Sequence, residues 1–131
     1  MRIRVAALVA VSLVALGAGV ASAATVKYNT AFQQFKFKSD GSGGEFKGKL
    51  ASRKEACIKQ RKVKLIRKSS GNEKKLGSDK TNGNGKWDID LSGGQLKNGK
   101  YFAEVTKKDL GGDGEKQVCL SEKSGKIEIS G

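Results

Sequence analysis

The sequence predicts an all-β protein: a single antiparallel β-sandwich of about seven or eight short strands with one disulfide. Apolar and polar residues alternate with a period of two in five segments, and clusters of glycine and asparagine separate the segments. After residue 23, no window of about eleven residues shows a sustained helical period. Strands with one apolar face bury that face when two sheets pack together, so two antiparallel layers are expected.

Residues 1–23 have the pattern of an export signal. Arg2 and Arg4 precede an apolar run over 5–20, and the small residues Ala21–Ala23 follow it. The run has about 16 residues and a transmembrane helix needs about 20, so a cleaved secretory signal is favoured over an uncleaved membrane anchor. No cysteine follows the run directly, which argues against a lipid anchor. We expect a secreted, extracellular protein without a transmembrane anchor, either free or associated with the cell envelope.

The mature chain is expected to comprise residues 24–131, which is enough for one domain. Removing Arg2 and Arg4 with the signal leaves 24 lysines and arginines against 13 acids, a net charge of +11. The sequence contains no histidine, which excludes imidazole as a base or a metal ligand. Asp88 and Asp90 share one strand face, but their alternation with apolar residues favours a solvated face over a catalytic carboxylate pair. We expect a non-enzymatic monomer without a cofactor.

The strands are predicted from the alternation, and the turns from the residues between them. Shorter strands are expected near 28–38, 75–81 and 117–120. We expect an N-terminal strand segment and glycine-rich turn over 24–44, and the sandwich domain over 45–131. The alternating segments are, in chain order, Phe46–Leu50, Val63–Leu65, Trp87–Leu91, Tyr101–Val105 and Ile127–Ile129. The predicted turns are Asp40–Gly44, Asn82–Gly85, Ser92–Gly94, Asn98–Gly99 and Gly111–Gly114.

The two cysteines, Cys57 and Cys119, are interpreted as one structural disulfide, since an exported chain meets an oxidising environment. A redox-active pair is the alternative, but a separation of 62 residues offers no sign of the close spacing that it needs. In the segment 117–120 both faces are apolar, because Cys119 points away from Val118 and Leu120. This pattern indicates either a central strand or a bridge at the end of the strand.

The segment Phe46–Lys108 contains an ordered set of short motifs. They are an F-x-G strand, a cysteine before a strand with V-x-L, then G-S-x-K-T-x-x-x-G-K-W, and finally G-K-Y. This order resembles secreted carboxypeptidase-regulatory-like or transthyretin-like β-sandwich domains, in which a T-[DN]-x-x-G turn precedes an aromatic residue. Thr81, Asn82, Gly85 and Trp87 occupy those positions. The resemblance covers about half of the chain and implies an immunoglobulin-like or transthyretin-like Greek key and a non-catalytic binding module.

Most of the positive charge lies in the segment Glu45–Lys68, which has ten cations against two acids. If the strands at 46–50 and 62–68 are neighbours, several of these lysines project from one solvent face. Such a face would attract an anionic cell-envelope polymer, an acidic polysaccharide or, non-specifically, nucleic acid. The alternative is a structural or accessory secreted protein whose charge serves only solubility. The predicted anion-binding residues are Lys47, Lys49, Arg53, Lys54, Lys59, Arg61, Lys62, Lys64, Arg67 and Lys68.

Two segments resemble cation-binding loops only in part. The stretch 80–91 has Asn82 and Gly85 in suitable places, but Lys80 and Leu91 stand where a calcium loop needs carboxylates. The segment Asp109–Glu115 has three carboxylates among glycines. Weak binding of a hard cation is one interpretation of this segment, and a solvated loop is the favoured one. We therefore predict no metal site.

Overall fold

The computed structural model describes residues 24–111 and 114–131, and this part of the chain is all-β. The predicted export signal lies outside the described residues. Within the described ranges, one 3-10 turn at Glu55–Cys57 interrupts the strands. The eleven strands of the described residues are β1 (Thr25–Tyr28), β2 (Ala31–Ser39), β3 (Gly44–Ala51), β4 (Lys62–Ser69), β5 (Asn72–Lys80), β6 (Lys86–Leu91), β7 (Gly99–Val105), β8 (Lys108–Gly111), β9 (Lys116–Cys119), β10 (Glu122–Lys123) and β11 (Ile127–Ile129).

Two antiparallel sheets form the sandwich. The first sheet has the order β2-β3-β6, and the second has the order β5-β4-β7, with β10 and β11 both pairing the far edge of β7. Consecutive strands β3 and β4 lie in different sheets, and each pairs with the strand three places further along the chain. This crossover is the Greek-key arrangement of two-sheet sandwiches. The predicted all-β sandwich is confirmed, and the first predicted segment contributes β2 to it.

The core lies between the two sheets and comes from the alternating segments. In β6, Trp87, Ile89 and Leu91 are buried while the residues between them are exposed, as the period of two predicts. Phe46, expected to face inward, has no exposed surface. The core consists of Phe46, Leu50, Val63, Leu65, Trp87, Ile89, Leu91, Tyr101, Ala103 and Val105.

Gly48 occupies an inward position of β3 because an aromatic ring fills the space of its side chain. A Cβ atom there would lie 2.8 Å from Cζ2 of Trp87 and 2.3 Å from the carbonyl oxygen of Gln34. The Trp87 ring in turn stacks on Phe35, with 5.9 Å between ring centroids. The glycine therefore allows the indole to pack flat across the middle of the first sheet.

A third, small sheet closes one end of the sandwich, with the order β1-β9-β8. Its β1–β9 pair is parallel, which the expectation of a purely antiparallel protein did not include. Cys119 ends β9 and forms the predicted disulfide with Cys57, at a Cα–Cα distance of 5.5 Å. Both interpretations of 117–120 hold, since β9 is the central strand of its sheet and the bridge lies at its end.

Ile66, which interrupts the alternation in β4, lies on the outer face of the second sheet. It stands opposite Phe102 of β7, and neither residue belongs to the core. Both are nevertheless buried, and the Nζ of Lys123 lies 5.6 Å from the centre of the Phe102 ring. A small apolar pair under a lysine stem therefore explains the break in the pattern.

Candidate anion-binding surface

The predicted cations do not share one face, because β3 and β4 are not neighbours in a sheet. The expected adjacency of 46–50 and 62–68 is therefore wrong. Lys47 and Lys49 lie on the outer face of the first sheet, and Lys62 and Lys64 lie on the outer face of the second. Local alternation gives the face of a strand, but the Greek-key crossover decides its neighbours.

Arg61 is not part of the surface, and its assignment to the anion-binding residues is wrong. Its side chain is only 1% exposed. Nη1 donates to Thr30 Oγ1 at 2.9 Å and to the Cys57 carbonyl at 2.7 Å. Nη2 donates to the carbonyls of Thr106 at 2.6 Å and Leu120 at 3.1 Å. Burial lowers the pKa of Arg61, and no carboxylate of the described residues pairs with it.

Four other predicted cations are occupied by contacts within the protein. Arg53 and Lys54 both lie over the ring of Tyr28, at 4.9 and 5.5 Å from its centroid. Lys64 forms an ion pair of 3.7 Å with Glu104, the one ion pair among the described residues. Arg67 is half-buried, and the space beside Gly99 is filled by the methylene groups of its side chain.

Elsewhere the register places cations directly opposite one another. Like charges at paired positions of a sheet destabilise it. Within the described residues none of these cations forms an ion pair, although Asp88 stands opposite Lys47 and Glu73 opposite Lys68. The like-charged cross-strand pairs are Lys36–Lys47, Lys49–Lys86, Lys62–Lys80, Arg67–Lys74 and Lys68–Lys100.

A groove of about 470 Å³ runs beside the edge where β5 meets β6. The carboxylate of Asp79 accepts a hydrogen bond from the Asp88 N–H at 2.9 Å and so joins the edges of the two sheets. Oδ1 of Asn82 accepts the N–H groups of Asn84 and Lys86 at 2.9 and 3.0 Å, which fixes the turn at the end of the groove. Its polar lining includes Gln34, Lys36, Lys47, Lys80, Asn82 and Lys86, together with Asp79 and Asp88.

Four lysines form a second feature, the lysine cluster, which consists of Lys59, Lys62, Lys80 and Lys108. The Nζ of Lys108 donates to the Lys59 carbonyl at 3.2 Å, and Lys62 stands opposite Lys80. Burial, followed by the charges of Arg61, Lys59 and Lys80, lowers the pKa of Lys108. Because Lys80 also lines the groove, the two features are continuous.

Lys36, Lys80, Lys86 and Lys108 belong to this surface but lie outside the charge-rich segment, so counting charge along the chain did not find them. Sequence reasoning could locate only the neighbourhood of Lys80. The turn at Ser70 and Gly71 sets a register that would place Asp79 opposite Lys62, and a shift of one residue between Leu65 and Ile66 places Lys80 there instead.

The structure offers no metal centre within residues 24–111 and 114–131, where no three acidic or sulfur-bearing side chains gather to bind an ion. Residues 112 and 113 of the Asp109–Glu115 segment lie outside the described part, and so does that part of the cation-loop interpretation. In the described residues no helix has the length and hydrophobicity needed to span a bilayer.

Comparisons with known proteins return nothing: no family model, no curated protein and no solved structure matches this chain significantly.

Proposed function

We propose that the protein is a secreted, non-enzymatic β-sandwich that binds anionic polymers of the cell envelope or the extracellular space. One observation supports this most directly. Seven lysines, here called the lysine band, continue from the groove on the first sheet past the edge at β5 into the lysine cluster, and none of them forms an ion pair in the described residues. The lysine band consists of Lys36, Lys47, Lys59, Lys62, Lys80, Lys86 and Lys108.

Electrostatic repulsion explains why a polyanion would bind there. Two lysine pairs of the band, Lys36–Lys47 and Lys62–Lys80, are directly opposite in the sheets, so each destabilises the folded state by a few tenths of a kcal/mol. An anion placed between the ammonium groups removes this repulsion and adds attraction. Binding also releases the small counterions of the polymer, which makes the affinity strongly dependent on salt.

The ammonium groups of the lysines favour a polymer with repeated charges over a ligand of one particular shape. An ammonium group is a strongly hydrated point charge without the fixed fork of a guanidinium, so it accepts carboxylate, sulfate or phosphate with similar geometry. Arg61 is enclosed in the fold, and Arg53 lies over an aromatic ring. The exposed part of the surface therefore suits a polymer with repeated negative charges and selects little between carboxylate, sulfate and phosphate groups.

The alternative is a structural or accessory protein whose positive charge serves only solubility. That role requires net charge but no particular arrangement of it. The fixed turn at Asn82 and the lysine pairs that the fold places in contact range support a binding role instead.

Heparin–agarose chromatography of the mature protein tests the proposal. The band variant changes Lys36, Lys47 and Lys86 together to Gln, and the matched control changes Lys27, Lys116 and Lys126 to Gln. Both lose three charges, and the three control lysines are exposed outside the lysine band. We expect the band variant to bind heparin about tenfold more weakly at 0.1 M salt and the control to change little. An equal loss in both variants would contradict the proposal, since total charge alone would then decide binding.

Secretion and the resemblance of Phe46–Lys108 to carboxypeptidase-regulatory-like or transthyretin-like domains stay predictions. Secretion can be tested by a direct measurement. Protein harvested from the culture medium or the envelope is expected to begin at Ala24, as determined by N-terminal sequencing. A mature protein that retains Arg2 and Arg4 would contradict it.

A further inference from the structure

The groove contains two carboxylates among its lysines, which a site for simple polyanions would not need. Asp88 stands opposite Lys47 on the outer face of β6, and its carboxylate makes no ion pair or hydrogen bond within the described residues. Asp79 uses Oδ2 for the Asp88 N–H, which leaves Oδ1 without a partner there. A ligand that presents only anionic groups is repelled by both side chains.

Hydroxyl groups fit such a lining, because a hydroxyl donates to a carboxylate and accepts from an ammonium group. Gln34 adds an amide that makes no side-chain hydrogen bond in the described part of the chain. Asn82 uses Oδ1 for the turn, which leaves its NH₂ group as a donor. The groove therefore combines cations, amides and hydroxyl acceptors, and its volume of about 470 Å³ is typical of ligand sites.

We propose that the groove binds an acidic polysaccharide, whose sugar units present an anionic group and free hydroxyls together. Lys36, Lys47 and Lys86 bind the anionic group, and Asp79 and Asp88 accept hydrogen bonds from the hydroxyls. This inference rests on the proposed polyanion binding and names its substrate class. A site built to accept from hydroxyls rejects a ligand without them, because the carboxylates are then desolvated without a donor.

A matched pair of polymers tests the inference. Polygalacturonate and poly-L-glutamate both carry one carboxylate per unit, but only the sugar polymer has hydroxyls. Titration calorimetry at 0.1 M salt uses samples of equal carboxylate number, with fluorescence of Trp87, the single tryptophan, as a second readout. We expect polygalacturonate to bind about tenfold more tightly. A DNA duplex of equal charge is the third ligand, and tightest binding of the duplex would overturn the inference.

The variant Asp88→Asn is the decisive test, because the expected change in affinity has opposite signs for the two polymers. It removes a negative charge from the groove and replaces a charged hydroxyl acceptor by a neutral amide oxygen, which forms a weaker hydrogen bond. Binding of polygalacturonate is therefore expected to weaken severalfold while binding of polyglutamate strengthens slightly. The matched control is Asp90→Asn, on the same face of the same strand but outside the groove lining. If Asp88→Asn strengthens binding of both polymers, charge alone decides and the inference is overturned. If the parent protein binds none of the three polymers, the proposed function itself fails.

Discussion

Arg61 and Lys62 are adjacent in the sequence and carry the same charge, but the fold places them in opposite environments. Arg61 is buried and donates four side-chain hydrogen bonds to neutral oxygens. Lys62 is exposed and stands opposite another cation, Lys80. Two adjacent cations therefore have different environments, because one joins parts of the chain while the next stays exposed to solvent.

The partners of Arg61 explain what its burial achieves. They come from the segment before β2, from the 3-10 turn, and from the residues that follow β7 and β9. All of these segments meet at the end of the sandwich closed by the disulfide and the third sheet. One planar guanidinium thus satisfies backbone carbonyls from segments distant in sequence, which an ammonium group cannot do in the same geometry.

The change Arg61→Met is expected to have the largest effect. It leaves three carbonyl oxygens and a hydroxyl without their donor in the interior, so the free energy of unfolding should fall by about 5 kcal/mol. Urea denaturation followed by Trp87 fluorescence measures it. The control Lys62→Met should change stability by less than about 0.5 kcal/mol. A similar, small effect of both substitutions would show that the environments differ less than the contacts indicate.

The disulfide fastens the same end of the molecule by a covalent route. Replacing Cys57 and Cys119 together by alanine opens a loop of 62 residues, and the chain-entropy model gives a loss of about 4 kcal/mol. Arg61 donates to the carbonyl of Cys57 and to that of Leu120, next to the second cysteine. The two interactions should therefore be coupled. The stability of the triple variant, measured in urea, should differ from additivity by at least about 0.5 kcal/mol, and strict additivity would contradict this coupling.

The sequence was sufficient to predict the layers of the fold but not their connections. Alternation over Trp87–Leu91 and around Phe46 gave the buried faces, because burial of every second side chain is a local property of a strand. Pairing is not local. The residue pattern of β3 is compatible with β4 as a neighbour, and only the Greek-key crossover, which depends on the whole chain, separates the two strands.

The sequence was sufficient to predict that the candidate site is a basic surface, but not which residues form it. A basic surface followed from the net charge, but Arg61 precedes the alternating part of β4 and has no local sign of burial. Its acceptors, such as Thr30 and Leu120, are far away in the sequence. Lys86 and Lys108 join the surface for the same reason, since strand pairing and loop packing bring them to it.

A smaller change in the free energy of unfolding is expected for substitutions of the exposed lysines. The change Lys49→Glu replaces the repulsion with Lys86 by attraction, and should raise the free energy of unfolding by about 0.5 kcal/mol. The control Lys116→Glu makes the same charge change opposite the uncharged Thr25. Parallel urea titrations at low salt measure both. Equal or greater stabilisation by Lys116→Glu would mean that total charge, and not the repulsion between Lys49 and Lys86, decides the stability.

The smallest effect should come from Lys108, which is intermediate between the two environments. Burial and the charges of Arg61, Lys59 and Lys80 lower its pKa below 10.5. As pH rises through the native pKa, the folded protein loses this proton while the unfolded chain keeps it until about 10.5, so folding stability rises in that window. Below this pH window the charged Lys108 lowers folding stability in full. Above the window the amine is neutral in both states and this destabilisation is absent.

Replacing Lys108 by Gln removes this dependence. The stability difference between the parent protein and Lys108→Gln should therefore shift in favour of the parent as pH approaches 10.5 from below. Brief thermal melts across that range measure the shift, with Lys107→Gln as the control for loss of one charge from the same connection.

A bound polyanion stabilises the charged amine and so raises the pKa of Lys108. Binding should then take up protons in the same window, and calorimetry in two buffers of different ionisation enthalpy detects the uptake. Binding without proton uptake in this window would place the anion away from the lysine cluster.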